Sequence, residues 1–210
     1  MAATRAYRGV SADDRRDQRR AVLMDTVSDC LLDDGLSGVS VRAVCARARL
    51  TPRYFYENFA DLDELLLAAV DAVIDEVAER SLAAVAAAGD DTAAQVRAAI
   101  ETGYGIVADD RRKANLLLVA AAGDGRLRDR RNKMVTDYAD LVIDGLSVLN
   151  AHGLAERRTA RATALFLMGG SADVIEAVLS GRLRISRARV VDQLTAMWLG
   201  ALTAGSGRTG

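Results

Sequence analysis

A single proline, Pro52, interrupts a 210-residue chain that is rich in alanine, leucine and arginine. Because these three residues favour helices and proline is the strongest helix breaker, long helices can form with almost no forced interruption. Aromatic residues make up only 4% of the chain, and clusters of strand-favouring residues are scarce. The sequence therefore predicts an all-α protein.

The first predicted helix begins near Asp13 and ends at Gly35, a residue that suits the C-cap position. Its apolar residues recur at helical spacing on one face: Leu23, Val27, Cys30 and Leu31.

Two shorter helices of about two turns each follow. Ser40 is the predicted N-cap of the second helix, whose apolar stripe contains Val44. Thr51 is the predicted N-cap of the third, with Pro52 at the first helical position, where its missing N–H costs nothing. We expect this third helix to extend to about Phe59.

The rest of the sequence predicts longer helices. Asp61 is expected to cap a fourth helix that reaches about Ala88. Further helices are predicted at about 92–108, 111–122, 126–151, 155–180 and 187–204. The predicted architecture is an N-terminal three-helix module, residues 13–60, joined by a long helix to a C-terminal helical bundle within residues 61–205.

Composition excludes several classes of protein. Basic and acidic residues nearly balance, 28 against 29, which indicates no strongly charged partner by itself. With one histidine, His152, and two distant cysteines, Cys30 and Cys45, no zinc site of ordinary ligand spacing can form. Both cysteines lie among apolar residues and are predicted to be buried thiols. No apolar run approaches the ~20 residues that span a bilayer and no secretory signal is present, so we expect a cytoplasmic protein with no membrane partner.

No catalytic constellation is recognisable either. The sequence contains no glycine-rich phosphate loop, nucleophile–base pair or metal cluster. We therefore expect no enzyme activity, no cofactor and no metal.

Helices two and three are joined by a tight break, the arrangement of a helix-turn-helix. In such a motif the second helix projects exposed side chains into a DNA major groove about 12 Å wide, while its other face packs on the first helix. Phe55 and Phe59, spaced i and i+4, predict the packing face. Arg53 and Tyr54 then point outward, and the hydroxyl of Tyr56 can reach a phosphate. Residues 40–59 carry four arginines against one acid: Arg42, Arg47, Arg49 and Arg53 against Glu57.

The run SVRAVCARARLTPRYFYENFADLDELL, residues 40–66, resembles the N-terminal domain of the tetracycline-repressor (TetR) family of transcription regulators. The resemblance covers about residues 15–70, and it rests on Gly35, the helix start at Ser40, the Tyr56-x-x-Phe59 pair and the acidic-leucine stretch 63–66. By matched position it implies DNA contacts, to base edges or phosphates, from Arg42, Thr51, Pro52, Arg53, Tyr54 and Tyr56.

Two positions depart from the family's pattern. Arg49 stands in the turn where the family often has glycine, and because a positive φ costs arginine about 1 kcal/mol or more, we expect the turn to take another shape. Leu62 replaces a frequent phosphate-binding lysine, which removes one DNA backbone contact. Four arginines of the first helix either add phosphate contacts or form a solvated face: Arg15, Arg16, Arg19 and Arg20.

For residues 90–205 the resemblance implies effector binding and homodimerisation. The last two helices carry apolar stripes that we assign to the dimer interface: Leu165, Met168, Ala172, Ile175, Leu179, Val191, Leu194 and Trp198. The alternative is that both stripes form ordinary core within one chain. We assign the effector pocket to Tyr104, Asn115, Met134, Tyr138 and Phe166, although each is a residue that also suits a core. Apolar surroundings there suit an apolar or amphipathic small molecule.

These expectations together describe a homodimeric transcriptional regulator, most simply a repressor, that binds a palindromic operator and is released by a small-molecule effector. Activator behaviour stays open, because it depends on where the operator lies relative to a promoter. The alternative is a helical homodimer that binds small molecules or proteins and has weakened DNA binding, an alternative that Arg49 and Leu62 keep open.

Overall fold

The structure is a computed structural model that describes residues 11–122, 125–145 and 157–206. Within these ranges the chain forms nine α-helices and no strand, which confirms the predicted all-α fold. The helices are α1 Ala12–Gly38, α2 Val41–Ala48, α3 Pro52–Tyr56, α4 Leu62–Ala87, α5 Thr92–Ala108, α6 Arg111–Ala122, α7 Arg126–Gly145, α8 Arg157–Leu179 and α9 Arg187–Ser206. The last predicted turns of the seventh helix, residues 146–151, and His152 lie outside the described residues.

The chain divides into two compact units, Met1–Ala69 and Val70–Gly210. The division falls inside α4, so the first turns of this helix group with the front unit. The boundary predicted from the sequence lies ahead of the helix, between residues 60 and 61.

Capping residues set the helix boundaries of the front unit. Gly35 has a φ of 66° and interrupts α1, in a backbone region where glycine has no Cβ strain. The Ser40 hydroxyl accepts a hydrogen bond from the Ala43 N–H at 3.1 Å and caps α2. The Asp61 carboxylate accepts one from the Glu64 N–H at 2.7 Å, where α4 begins. Ser40 and Asp61 cap their helices as predicted, whereas Gly35, predicted to end the first helix, lies within α1, which continues to Gly38.

The break between α2 and α3 differs from the prediction. Arg49 itself adopts the left-handed conformation, with φ 55° and ψ 37°, and its N–H donates to the Ala46 carbonyl. The expectation that the turn takes another shape is therefore wrong, and the strain stays in the turn. Thr51 occupies the N-cap position of α3, but its side chain forms no capping hydrogen bond, so Pro52 at the first helical position is the start signal.

Helix α3 is shorter than expected. It ends at Tyr56, and a turn precedes Phe59. The side-chain amide of Asn58 donates to the Tyr54 carbonyl at 2.7 Å, which satisfies one of the carbonyls that the helix end leaves open.

The core of the front unit is apolar and includes both cysteines. Its buried side chains come from α1, α2, α3 and the turn after α3: Leu23, Val27, Cys30, Leu31, Val44, Cys45, Phe55 and Phe59. Burial raises the pKa of the Cys30 and Cys45 thiols. Both are therefore buried thiols, as predicted, and weak nucleophiles at neutral pH.

In the rear unit α5 packs against α9, and α7 packs against α8. Two apolar clusters lie between α5, α8 and α9: Tyr104 with Val190, Val191 and Leu194, and Val96 with Leu167 and Trp198. The Trp198 indole N–H donates to the Ser171 hydroxyl at 3.0 Å, so this buried polar group is satisfied. The pairing of early α9 with late α5 makes the two helices antiparallel.

Helix α8 is apolar but little buried. Its stretch Arg161–Leu179 has the length and composition of a membrane-crossing helix, although Asp173 and Glu176 interrupt the apolar run. The expectation that no unbroken apolar run approaches 20 residues holds for this helix too, and the absence of a membrane partner stays a prediction. Only 11% of its most apolar 18-residue stretch is buried within the chain. One such helix is weak support for a membrane span, because a face that binds another protein has the same signature.

Candidate nucleic-acid interface

Helix α3 separates its side chains into a buried and an exposed set. Phe55 and Phe59 are buried with their ring centroids 5.9 Å apart, so they form the predicted packing pair. Tyr54 and Tyr56 remain at the surface, and the Tyr56 side chain is the more exposed of the two. The Arg53 side chain is 85% exposed. Three side chains to which the sequence analysis assigns DNA contacts are thus accessible on one short helix.

The other three assigned residues also lie at the surface of the helix-turn-helix. Arg42 is in the first turn of α2, and Thr51 and Pro52 begin α3. Because α2 packs directly on α3, the six residues share one two-helix motif. Exposed guanidinium and hydroxyl groups are the donors that bind phosphate oxygens and base edges.

An acid interrupts this basic surface. Glu57 follows the last turn of α3, and its Oε1 accepts a hydrogen bond from Arg53 Nε at 3.0 Å. Its Oε2 lies 3.8 Å from Arg19 Nη2, across from α3 on α1. One carboxylate therefore bridges two arginines from different helices.

Arg19 and Arg20 of α1 lie over aromatic rings rather than extending into solvent. The Arg19 guanidinium is 4.6 Å from the Tyr54 ring centroid, and that of Arg20 is 4.4 Å from the Phe59 centroid. Arg20 Nη1 also donates to the Asn58 carbonyl at 3.2 Å. Stacking on aromatic faces is a use to which arginine is better suited than lysine. These two arginines therefore help to fix α1 against the α3 segment.

Arg47 is also engaged within the front unit. Its guanidinium forms ion pairs with Asp33 and Asp34 near the end of α1, and the Asp33 contact raises the Arg47 pKa. By contrast, Arg42 and Arg49 are exposed, and none of the ion pairs within the described parts of the chain involves them. The four-to-one excess of arginine counted in residues 40–59 thus overstates the free positive charge of this surface.

Sequence reasoning missed the role of Glu57. The i, i+4 spacing of Arg53 and Glu57 is a readable signal for an ion pair on a helix. No local signal brings Arg19 to the same carboxylate or to the Tyr54 ring, because that contact depends on how α1 packs against α3.

The residues assigned to the effector pocket do not share one environment. Tyr104 is buried in the cluster between α5 and α9, and Asn115 of α6 is half-buried. Phe166 is 78% exposed on the surface of α8, so it lines no interior cavity of the single chain. The side chains of Met134 and Tyr138 lie outside the described residues.

The residues assigned to the dimer interface fall into two groups. Val191, Leu194 and Trp198 of α9 are buried against α5 and α8 within the chain. The five on α8 are half-buried: Leu165, Met168, Ala172, Ile175 and Leu179. Of these, Met168, Ile175 and Leu179 pack against the same internal clusters. The most accessible apolar side chains of the two helices are instead Phe166 and Met197.

In the described residues no group of three or more histidine, cysteine, aspartate and glutamate side chains is arranged to hold a metal ion.

No protein-family model matches the sequence, and no curated protein matches it. Solved structures match it in fold. A proposed transcriptional regulator from Pseudomonas aeruginosa PAO1 has a TM-score of 0.73 at 20% identity, over 92% of this chain and 95% of that chain. A TetR-like transcriptional regulator from Rhodococcus sp. RHA1 has a TM-score of 0.62 at 23% identity, over 90% and 97% of the two chains. AibR, solved in complex with isovaleryl coenzyme A and operator DNA, has a TM-score of 0.59 at 19% identity, over 85% and 97%.

The chain therefore has the fold of TetR-family transcriptional regulators. The resemblance inferred from residues 15–70 is confirmed as a resemblance of fold, and it extends to about nine-tenths of the chain.

Proposed function

We propose that this TetR-fold protein is a cytoplasmic, homodimeric transcriptional regulator, most simply a repressor. Its residues 13–60 bind a palindromic DNA operator, and a small molecule bound within residues 61–205 releases it. The observation that carries the proposal is the exposed set on α3, Arg53, Tyr54 and Tyr56, in a helix-turn-helix of this fold. A fold alone does not define a function, so the proposal depends on these side chains.

DNA recognition is proposed to use two kinds of contact, to base edges and to phosphates. Arg53 fits a guanine edge, whose O6 and N7 accept hydrogen bonds from two guanidinium nitrogens. The Tyr56 hydroxyl fits a phosphate oxygen, and Arg42 and the exposed Arg49 supply positive charge on either side. Leu62 cannot form an ion pair with a phosphate, so we expect modest affinity for non-specific duplex.

Dimerisation is proposed to use the outer faces of α8 and α9. Phe166 and Met197 are exposed there, and most of the apolar stretch in α8 is only half-buried in the single chain. A Cβ added at Gly169 or Gly170 would meet no atom within 4 Å, so another helix can approach this face closely. Since Val191, Leu194 and Trp198 hold α9 to the rest of the chain, we propose that they support the interface from behind.

A two-fold dimer sets the geometry of the operator. Two recognition helices related by such an axis bind half-sites about 34–36 Å apart, one turn of DNA, or a multiple of this spacing. The operator is therefore proposed to be a palindrome.

The effector is proposed to be an apolar or amphipathic small molecule. AibR, solved with isovaleryl coenzyme A and operator DNA, is an example of this fold that binds both kinds of partner. In the present chain α4 is one continuous helix with residues in both units, which makes it the segment through which binding at one unit can reach the other. The effector releases DNA only to the extent that it binds the two conformations with different affinity.

The test is selection of fragments of the source genome by the purified full-length protein, followed by sequencing. Enrichment of a palindrome supports regulation, gives the half-site spacing and identifies the neighbouring genes. A duplex with that palindrome is then titrated with protein, with and without small molecules related to the products of those genes. No enrichment at low salt in the absence of ligand contradicts the proposal.

A second candidate is a helical homodimer that binds a small molecule or a protein and has weakened DNA binding. The strained Arg49 turn, Leu62 in place of a lysine and the neutralised arginines around Glu57 favour it. An intact dimer that binds no duplex tightly at low salt supports this candidate over the first.

A further inference from the structure

Glu57 is the C-cap residue of α3, and its two carboxylate oxygens contact two different arginines. Oε1 accepts from Arg53 Nε at 3.0 Å, and Oε2 lies 3.8 Å from Arg19 Nη2. Exposed ion pairs of this kind contribute little to stability, so the pairs do not by themselves explain an acid at this position.

The Arg53 contact occupies only one edge of the guanidinium. The hydrogen bond to Glu57 uses Nε and neither Nη1 nor Nη2, on a side chain that is 85% exposed. Those two nitrogens are the pair that binds guanine O6 and N7. A guanine edge can therefore bind Arg53 while the Glu57 contact is kept, and the contact limits the orientations that the side chain samples.

The Arg19 contact has a different effect. Its guanidinium lies 4.6 Å from the Tyr54 ring centroid, and its buried Nε has no hydrogen-bond partner in the described part of the chain. Glu57 neutralises this cation beside the recognition helix. A phosphate that approaches either arginine meets the carboxylate charge at the same time, so phosphate contacts that carry no sequence information are weakened.

We propose that Glu57 is a specificity-determining residue of the DNA interface. It orients Arg53 for base contact and withholds Arg19 and Arg53 from phosphates, so that it lowers affinity for random duplex more than affinity for the operator. This inference rests on the proposed DNA-binding function.

The test compares wild type with Glu57→Gln on two duplexes of equal length and composition, one with the genomically selected site and one with that sequence scrambled. Affinity is measured by fluorescence anisotropy from about 50 to about 200 mM salt, the range over which phosphate contacts change affinity strongly. Glutamine keeps the size of the side chain and a hydrogen-bond acceptor but removes the charge. Circular dichroism and the thermal midpoint of each variant verify the fold.

We expect Glu57→Gln to bind the scrambled duplex about 3- to 10-fold more tightly than wild type does. The slope of the logarithm of affinity against the logarithm of salt concentration is expected to steepen by about one for each helix-turn-helix in contact with DNA. The affinity for the selected site changes less, so the ratio of the affinity for the selected duplex to that for the scrambled duplex falls. Asp25→Asn, at an exposed position of α1, makes the same change in net charge and is the matched control, with less than about a twofold change on either duplex. In the double variant Glu57→Gln/Arg53→Ala the gain on scrambled duplex falls to the part that Arg19 contributes.

Three results overturn the inference. If Glu57→Gln leaves the ratio of the affinities for the selected and scrambled duplexes unchanged, Glu57 does not determine specificity. If Asp25→Asn gains as much affinity for the scrambled duplex, the effect comes from net charge. A loss on the selected site alone, with scrambled duplex unchanged, makes Glu57 a direct acceptor for a cytosine amino group instead. Failure of wild type to bind either duplex is a separate outcome, which contradicts the proposed function itself.

Discussion

Arg187, the first residue of α9, contacts Asp109, the C-cap residue of α5, with its Nη1 2.7 and 2.9 Å from the two carboxylate oxygens. Gly105 makes this approach possible: a Cβ on Gly105 would lie 2.5 Å from Arg187 Nη2. The guanidinium also lies 5.9 Å from the Tyr104 ring centroid. The contact holds the beginning of α9 against the end of α5.

Gly105→Ala and Arg187→Ala are expected to be non-additive. Alanine favours a helix interior over glycine by about 0.5–1 kcal/mol, but in wild type its Cβ displaces the Arg187 guanidinium and offsets that gain. We therefore expect a near-zero change in unfolding free energy for Gly105→Ala alone and a gain of about 0.5–1 kcal/mol in the Arg187→Ala background. Urea denaturation of the four proteins in this cycle measures both values, and equal effects of Gly105→Ala in the two backgrounds would contradict the steric argument.

Arg49→Gly is expected to stabilise the front unit. Glycine removes the left-handed strain of about 1–2 kcal/mol at φ 55° but adds entropy to the unfolded chain, so the expected net gain is about 0.5–1 kcal/mol. Thermal and urea unfolding measure it. Ala46→Gly, at an exposed position with helical backbone, is the control and is expected to destabilise. A loss of stability in Arg49→Gly would mean that the Arg49 side chain contributes more than its backbone costs.

Arg53→Ala and Tyr56→Phe are expected to weaken DNA binding in different ways. Arg53→Ala costs about 1–3 kcal/mol on the selected operator and relaxes the preference at one base pair of each half-site. Tyr56→Phe removes only a hydroxyl that we propose to contact a phosphate, so it is expected to weaken binding about equally for all sequences. Anisotropy titrations with a panel of single-base operator variants separate the two patterns. Wild-type site preference in Arg53→Ala would remove this residue from base readout.

Met197→Asp is expected to convert the proposed dimer into a monomer without loss of helicity. The Met197 side chain is 51% exposed in the single chain, so the substitution disturbs little internal packing, but it places a charge in the proposed apolar interface. Sedimentation equilibrium measures the mass and circular dichroism the helicity. Leu82→Asp, at an exposed position of α4, is the control and is expected to leave the mass unchanged. A dimer of wild-type affinity in Met197→Asp would place the interface elsewhere.

Cys30 and Cys45 are expected to resist thiol reagents in the folded protein. Both are buried and their pKa values are raised by burial, so the reactive thiolate is scarce and inaccessible at pH 8. An absorbance assay with a disulfide reagent should show little reaction in native buffer and two equivalents in strong denaturant. Since both cysteines lie in the front unit, intermediate urea concentrations report the opening of that unit specifically. Rapid reaction in native buffer would contradict the burial.

Local signals explain which parts of the fold are predictable from the sequence. Ser40 and Asp61 act on their own few residues, so the helix boundaries that they set agree with the structure, and Gly35 marks a local interruption of α1 and not its end. The end of α3 is not predictable in this way, because the buried Phe59 continues the helical spacing of apolar residues although the helix has already ended at Tyr56. Arg49 shows the opposite case, in which the turn required by packing overrides a residue's own preference.

Tertiary contacts explain what the sequence could not provide at the candidate sites. An apolar stripe shows that a helix face is buried, but not whether a neighbour in the same chain or a second chain covers it. Val191, Leu194 and Trp198 are buried by helices of their own chain. The pairing of Arg19 with Glu57 likewise depends on the packing of α1 on α3, so counting charges along the sequence overestimates the free cations near the recognition helix.

The proposed dimer interface at Phe166 would link the lifetime of the protein to its abundance. A second chain bound there would bind the folded chain and not the unfolded one, so by mass action each tenfold excess over the dissociation constant would add about 1.4 kcal/mol of stability. At low copy number the chain would be mostly single, with this face open to proteases and chaperones. If the protein regulated its own gene, the rate of its synthesis would then determine both the number of molecules and how long each one survives.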